Sequence, residues 1–350
     1  MTYDNARCGI RGVRATLTSG LEWMLHNEYG FPEVDNLRDI GGSSNLNAYF
    51  TCYQEPFVVR VYRQSVTPQR LGSIQAAREH LYAAGIPCTT PMVTCTGHKC
   101  AWLDSHLVEV ERFIASTATM NSPDRVTTAL PMMALVHSLM AELPEDKHGD
   151  QPLFANHVES REVVARTTNG INRVKAWDPT EPETEICTIA ECLAQRVAAG
   201  EEEFLRGLRY QRAHGDFWDN NVLFGDGEIV LVADFDYMGR TARTDDLART
   251  LYFAISSHCT GHNDHGELIN YAASLVEAYN STAVPQLTRL ERLVLPLSIV
   301  RESLSWVANW LPDLDDQELA RSGFGEGRSD LAMSQSVLDN LWSWQTSFTA

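Results

Sequence analysis

The hydrophobic periodicity of this chain changes character near residue 115, and that change constrains its architecture more than any other feature. Before it, β-prone runs dominate: residues 37–53 and, after Gln54-Glu55-Pro56, Phe57-Val58-Val59-Arg60-Val61-Tyr62-Arg63, which together read as a hairpin, followed by strand-like stretches at 91–96 and 101–114. Within 101–114, the run Leu107-Val108-Glu109-Val110-Glu111-Arg112-Phe113 alternates apolar and charged positions, so one face is apolar and the other charged. Beyond residue 115, apart from 220–236, the apolar positions recur at helical pitch. The asymmetry predicts an α+β protein of two lobes, a smaller N-terminal lobe over 1–115 and a larger mainly helical lobe over 116–350, with a connector at 111–116 and a cleft between them.

Local signals fill in this outline. Leu17, Leu21, Leu25 and Tyr29 predict a helix over 15–29, broken by Gly30-Phe31-Pro32. A second helix over 71–84 ends at Gly85, with Pro87 beyond, and a third over 126–143 follows Ser122-Pro123. The proline-broken acidic stretch 178–185 reads as a solvated loop and 323–327 as a flexible spot.

With 46 acidic against 28 basic residues the chain carries a formal charge of −18, which disfavours extended contact with nucleic acid or an anionic membrane. Only Lys99, Lys147 and Lys175 are lysines, so chemistry requiring a lysine has three candidates. Eight cysteines in 350 residues are too few for a disulfide scaffold. Cys95, His98 and Cys100, with Cys88 nearby, are spaced more loosely than a zinc knuckle and read as a hairpin tip. No apolar run reaches membrane-spanning length and residues 1–30 lack a secretory pattern, which points to the cytoplasm.

Residues 214–249 carry the chemistry. They read as a polar loop, a short strand at 222–224, a Gly-Asp-Gly turn, a second strand at 229–233, and then Asp234 and Asp236. Asp216, Asn221 and Asp234 would converge on one side of that hairpin, offering oxygen ligands for a hard cation such as Mg2+ and one carboxylate to act on a hydroxyl. Each residue alone suits an ordinary turn, but His-x-Asp, an asparagine five residues after that aspartate, and a hairpin ending in Asp-Phe form a specific combination.

This segment resembles the catalytic loop and metal-binding segment of kinases. Its His214-Gly215-Asp216 and Asp234-Phe235-Asp236, with no activation-loop-length insertion before Asp246, are most similar to the aminoglycoside phosphotransferase and choline kinase family of small-molecule kinases. The resemblance extends over about residues 35–255 and implies a protein-kinase-like two-lobe fold, ATP and Mg2+ as cofactors, and a small-molecule hydroxyl as acceptor. It implies that Asp216 is the catalytic residue and that Asn221 and Asp234 are metal ligands, with Asp236 second to them. His214 would be structural, and Asp246 would brace the loop. Gly41, Gly42, Ser43, Ser44 and Asn45 fall in the phosphate-loop position, and Glu111 to Phe113 would meet the adenine through their backbone.

One departure stands out. Where the family carries a lysine to reach the phosphates, this chain has Arg60, whose guanidinium can hold phosphate bidentately. The carboxylate partner such a cation needs is open, Gln75 and Glu79 being the nearest helix positions. The acidic balance, with runs at 201–203 and 313–316, favours an aminoglycoside-like or other amine-bearing acceptor, although such runs are commonly solvated faces. Trp306 and Trp310, one helical turn apart, read as packing, with the resemblance placing their helix where the acceptor pocket is built so that they stay candidate lining residues, and His137 reads as core. The alternatives are a metabolic kinase of the homoserine or choline type and a nucleotide-binding protein without transfer activity.

Overall fold

The structure, a computed structural model, describes residues 14–42, 45–151, 156–259, 265–313, 318, 320–321, 324 and 328–350. The chain divides into two compact units, Met1–Ser116 and Thr117–Ala350.

The first unit begins with α1 (Ser19–Tyr29), closed by Gly30 in the left-handed conformation. An antiparallel sheet follows, built from β1 (Asp35–Gly41), β2 (Leu46–Cys52) and β3 (Glu55–Val61). After α2 (Pro68–Ala83) the chain adds β4 (Ala101–Leu103) and β5 (His106–Arg112), completing the order β1-β2-β3-β5-β4. Residues 91–100 make no strand, and Cys95 and His98 sit at a turn closed by Thr94 N–H donating to His98 O. Pro68 opens α2 because an N–H at the first helical position has no partner to lose, and the Thr67 hydroxyl accepts from Arg70 N–H at 3.2 Å.

Alternation along the strands gives this sheet two different faces. Leu46, Ala48, Phe50, Phe57, Val59, Val61, Val108 and Val110 form an apolar core with Leu21, Met24 and Leu25 of α1. Phe31 packs edge-on against both Phe50 and Phe57 at 5.0 Å, contacts that add about 0.5–1.5 kcal/mol each to the burial itself. The charged face is covered too. Helix α2 lays Gln75 and Arg78 over Glu109 and Glu111, which are therefore buried.

The second unit opens with β6 (Ala118–Thr119) and α3 (Pro123–Met140), followed by the short α4 (Lys147–Asp150), α5 (Val163–Ala176) and α6 (Glu181–Glu201). The stretch read as a solvated loop is thus the start of a helix. Thr180 and Glu183 form a reciprocal capping box, and Pro182 lies in the first turn, where proline is tolerated. Glu201 is buried rather than solvated and accepts from Arg301 Nε at 3.1 Å. Then come β7 (Tyr210–Ala213), β8 (Val222–Gly225), β9 (Glu228–Val232), β10 (Gly239–Ala242), α7 (Arg243–Cys259), α8 (His265–Asn280) and α9 (Arg289–Ser303). Helix α7 packs on α9 and α3 on α8, around Leu247, Leu251, Ile255, Met133, Leu275 and Ile299. The first unit is built on an antiparallel sheet and the second is mostly helical, so the α+β division expected from periodicity is the one observed. No described helix is long and apolar enough to cross a membrane.

Candidate active site

The segment around Asp216 is held by its own backbone geometry. Gly215 sits at φ +80°, and a Cβ there would lie 2.2 Å from Tyr237 O, so only glycine fits between His214 and Asp216. His214 accepts from Asp216 N–H through Nδ1 (3.2 Å), which leaves Nε2 to donate to Ala233 O (3.0 Å). Burial drives its pKa down, in keeping with that neutral tautomer. Asp246 braces the same turn from α7. Its Oδ1 accepts from Gly215 N–H (3.1 Å), and its Oδ2 pairs with His137 Nε2 (2.9 Å). His137 is buried, as expected, but it belongs to this bracing chain rather than to plain core, its Nδ1 meeting the Tyr279 hydroxyl at 2.8 Å.

Asp216 is the best-supported carboxylate of the segment. Oδ1 accepts from Asn156 Nδ2 (2.8 Å) and from Arg249 Nε and Nη2 (3.2 and 3.1 Å), whereas Oδ2 accepts, among the described residues, from Asn221 Nδ2 alone (2.8 Å). Two of the donors are neutral amides and one is a cation, so the carboxylate is fixed in orientation while Oδ2 keeps a lone pair. Burial raises the Asp216 pKa above the usual aspartate range against the opposing pull of Arg249 and Asn221. Arg249 in turn lies 3.5 Å from Glu302 of α9, whose burial lifts its carboxyl to about 7 against Arg249 and Arg301.

Asn221 closes the hairpin. Its carbonyl accepts from Ala233 N–H (2.8 Å), which brings Asp234 to the same end of the β8-β9 pair. Because Asn221 Nδ2 is spent on Asp216 O and Oδ2, its amide oxygen is the atom left for a hard cation, and the Asp234 carboxylate adds a charged oxygen. These oxygens are donors of the kind a hard divalent cation such as Mg2+ takes. Asp234 adopts a left-handed backbone (φ +61°), and Asp236 lies buried in the single 3-10 turn after it.

In the first unit, Gly41 and Gly42 have φ of +106° and +112°, and a Cβ on Gly42 would lie 2.5 Å from Asn45 O. Arg14 ties the turn together, donating to Gly41 O (3.0 Å), Asn45 O (3.1 Å) and both oxygens of Asp39. Asn45 Oδ1 accepts from Arg63 N–H (3.1 Å). Ser43 and Ser44 lie outside the described residues. Arg60, on β3, stands directly opposite Glu109 of β5. Of the two helix positions expected near it, Gln75 donates to Glu109 (2.8 Å), and Glu79 pairs with Lys99 at the surface (2.5 Å). The β5 strand runs through Glu111 to Arg112. The Glu111 carboxylate is committed to Arg78 (2.6 Å) and Thr89 (2.5 Å), and the Phe113 N–H donates to Pro56 O (3.1 Å), so any adenine contact at Phe113 has to come from its carbonyl or ring.

Sequence reasoning missed Asn156, Arg249 and Glu109. The first lies 60 residues from Asp216 in a stretch with no motif. The other two left a signal: a charge three residues after Asp246 on the same helix, and a glutamate flanked by valines. Trp306 and Trp310 form a π-helical turn after α9, their rings stacked on each other at 6.0 Å. The described part of the 313–316 run is limited to the backbone of Asp313, and of 323–327 only Phe324 is described.

Three comparisons place this geometry among known proteins. A homoserine kinase of Granulibacter bethesdensis is 23% identical over 286 residues, covering 77% of this chain and 79% of that relative. Among solved structures, a microcompartment-associated aminopropanol kinase superposes with a TM-score of 0.72 at 17% identity, covering 92% of this chain and 97% of the other. A choline kinase from Cryptosporidium parvum gives 0.58 at 14% identity, over 91% and 96%. The fold is protein-kinase-like. Since the sequence model of the phosphotransferase enzyme family matches residues 37–291, the greater part of the chain, this protein belongs to that family and is a phosphotransferase acting on a hydroxyl of a small molecule.

Proposed function

We propose that the chain transfers the γ-phosphate of ATP, with Mg2+, to the hydroxyl of a small amine-bearing alcohol. The observation that carries this reading is the Asp216 carboxylate, whose Oδ1 is held by Asn156 and Arg249 while Oδ2, bonded among the described residues only to Asn221, keeps a lone pair for the acceptor's hydroxyl proton. Asp216 orients that hydroxyl and accepts its proton as the oxygen attacks the γ-phosphorus and the bond to the β-phosphate oxygen breaks, releasing ADP. Asn221 and Asp234 hold the metal, with Asp236 second to them, and Mg2+ when bound neutralises charge on the phosphates. In the first unit, Gly41, Gly42, Ser43, Ser44 and Asn45 cover the phosphates, Arg60 clamps them, and the backbone at Glu111 and Phe113 meets the base.

The acceptor class is supported by relatives whose names share one chemistry, since homoserine, aminopropanol and choline are compact alcohols bearing a nitrogen. A second reading, an aminoglycoside-like antibiotic, has the charge of −18 behind it and neighbours named as spectinomycin and amicoumacin kinases. The burial of Glu201 against Arg301 removes one of the carboxylates that such a polycation would have used.

The test is nucleotide consumption with L-homoserine, 1-amino-2-propanol, ethanolamine, choline, several aminoglycosides and neutral sugars, each at two salt concentrations. The expected result is efficient turnover on one compact amino alcohol. Turnover confined to aminoglycosides, with affinity falling as salt shortens the Debye length below about 8–10 Å, selects the second reading. A neutral sugar as the one efficient acceptor contradicts both.

A further inference from the structure

The charged face of the first unit's sheet holds two carboxylates, Glu109 and Glu111, in contact with one guanidinium, that of Arg78. Glu109 is fully buried. Its Oε1 accepts from Arg78 Nη1 and from the Tyr62 hydroxyl (2.8 Å), and its Oε2 accepts from Gln75 Nε2 (2.8 Å). A carboxylate offers about four lone-pair sites, so three donors leave room for one more on Oε2. These two buried carboxylates share the Arg78 guanidinium, an expensive arrangement in a low-dielectric interior unless another cation joins it. Arg60 is placed to do so. It is the register partner of Glu109 across β3 and β5, and directly opposite residues on one face have Cβ atoms about 4.5–5.5 Å apart. Burial acts to raise the Glu109 pKa, but Arg78, Gln75, Arg60 and Tyr62 together hold it below the ordinary range.

We propose that Glu109 is the positioning carboxylate of the nucleotide clamp, steadying one edge of the Arg60 guanidinium so that its other edge meets phosphate. This rests on the reading of Arg60 as the phosphate clamp given above. Two departures of this chain then become one. The helix position where a glutamate was sought carries Gln75, with Arg78 three residues on, and the carboxylate has moved to the neighbouring strand. A flat guanidinium with five donors in a fixed fork can bond a carboxylate on one edge and an anion on the other, a division that a lysine ammonium does not fix geometrically. Glu109 touches neither substrate nor metal in this scheme, so it acts through Arg60.

A double-mutant cycle on the full-length protein tests this, with the dissociation constant of Mg-ATP, acceptor KM and kcat as readouts. Glu109→Gln keeps the shape of the side chain and is expected to weaken Mg-ATP binding about tenfold, the scale of one charge-assisted hydrogen bond, while leaving acceptor KM unchanged. Glu109→Asp, which keeps the charge but shortens the reach, should fall between Gln and the parent. Thr89→Val disturbs the same buried cluster at its Glu111 end and should leave nucleotide affinity as it was. The discriminating arm adds Glu109→Gln to Arg60→Gln, where it should cost nothing further. Full additivity there, or parental nucleotide affinity in Glu109→Gln while Arg60→Gln binds poorly, overturns the role of Glu109 alone. Parental affinity in Arg60→Gln overturns the clamp itself and Glu109 with it.

Discussion

In the unit Thr117–Ala350 the residues proposed for the acceptor and the metal lie in one loop and one hairpin, whereas in Met1–Ser116 the proposed phosphate clamp draws its residues from two strands and a helix. The first is an arrangement of short range. His214, Asp216, Asn221 and Asp234 belong to one loop and one hairpin, so a single change of residue type breaks several hydrogen bonds at once. The second is spread over β3, β5 and α2, where a carboxylate can move from helix to strand if a guanidinium and an amide move the other way. Local geometry resists substitution, and distributed charge tolerates it as long as the sum is kept.

The comparison is broken most severely at Asp216. Asp216→Asn should lower kcat by roughly a hundredfold to ten-thousandfold, the range typical of a lost general base, and steady-state kinetics on the best acceptor checks it. Arg249→Ala should come next. It strips a cation from two buried carboxylates, Asp216 and Glu302, so unfolding titrations should show a loss of about 3–5 kcal/mol, with kcat falling as Asp216 loses its fixed orientation. Arg249→Lys should recover part of kcat. If kcat is untouched in Arg249→Ala, the orientation of Asp216 depends on Asn156 and Asn221 alone.

Glu302 gives a pH-dependent effect of intermediate size. Its folded pKa of about 7 lies above its ordinary value of 4.5, so between those values the folded chain keeps a proton that the unfolded chain has released. Stability should therefore decline as pH rises through that window, and Glu302→Gln should flatten the decline in Tm. Glu183 has the opposite sign. Arg321 holds it at about 2, so its contribution is complete above 4.5 and is lost as pH falls toward 2. The smallest effect is expected at the helix start that the sequence disguised as a loop: Thr180→Ala should cost about 1 kcal/mol in stability and leave kcat unchanged.

These differences also explain what could be read beforehand. The α+β division and the β8-β9 hairpin were legible because each rests on periodicity or on residues a few positions apart, whereas the bracing Asp246, 31 residues from Gly215, was legible only through the family resemblance. Asn156 and Arg249 were not, since nothing in a sequence reports that a side chain 60 or 33 residues from Asp216 folds back onto it. Glu109 was hidden differently. Alternation correctly gave β5 a charged face, but alternation cannot say whether that face meets water or a helix bearing Arg78. Residues 178–185 misled because proline and acidic residues serve both a solvated loop and the first turn of a helix, and only the capping box of Thr180 and Glu183 separates the two.

The claim that the two units divide the work, Asp216 serving transfer and Arg60 serving the nucleotide, is tested most directly by measuring Mg-ATP affinity by calorimetry and kcat on the same preparations of Asp216→Asn and Arg60→Ala. The expected result is a split: parental affinity with kcat down by orders of magnitude in Asp216→Asn, and affinity weakened tenfold or more in Arg60→Ala, as for loss of an ionic phosphate contact. Weakened nucleotide binding in Asp216→Asn to the same degree as in Arg60→Ala, or parental kcat in Asp216→Asn, would contradict it.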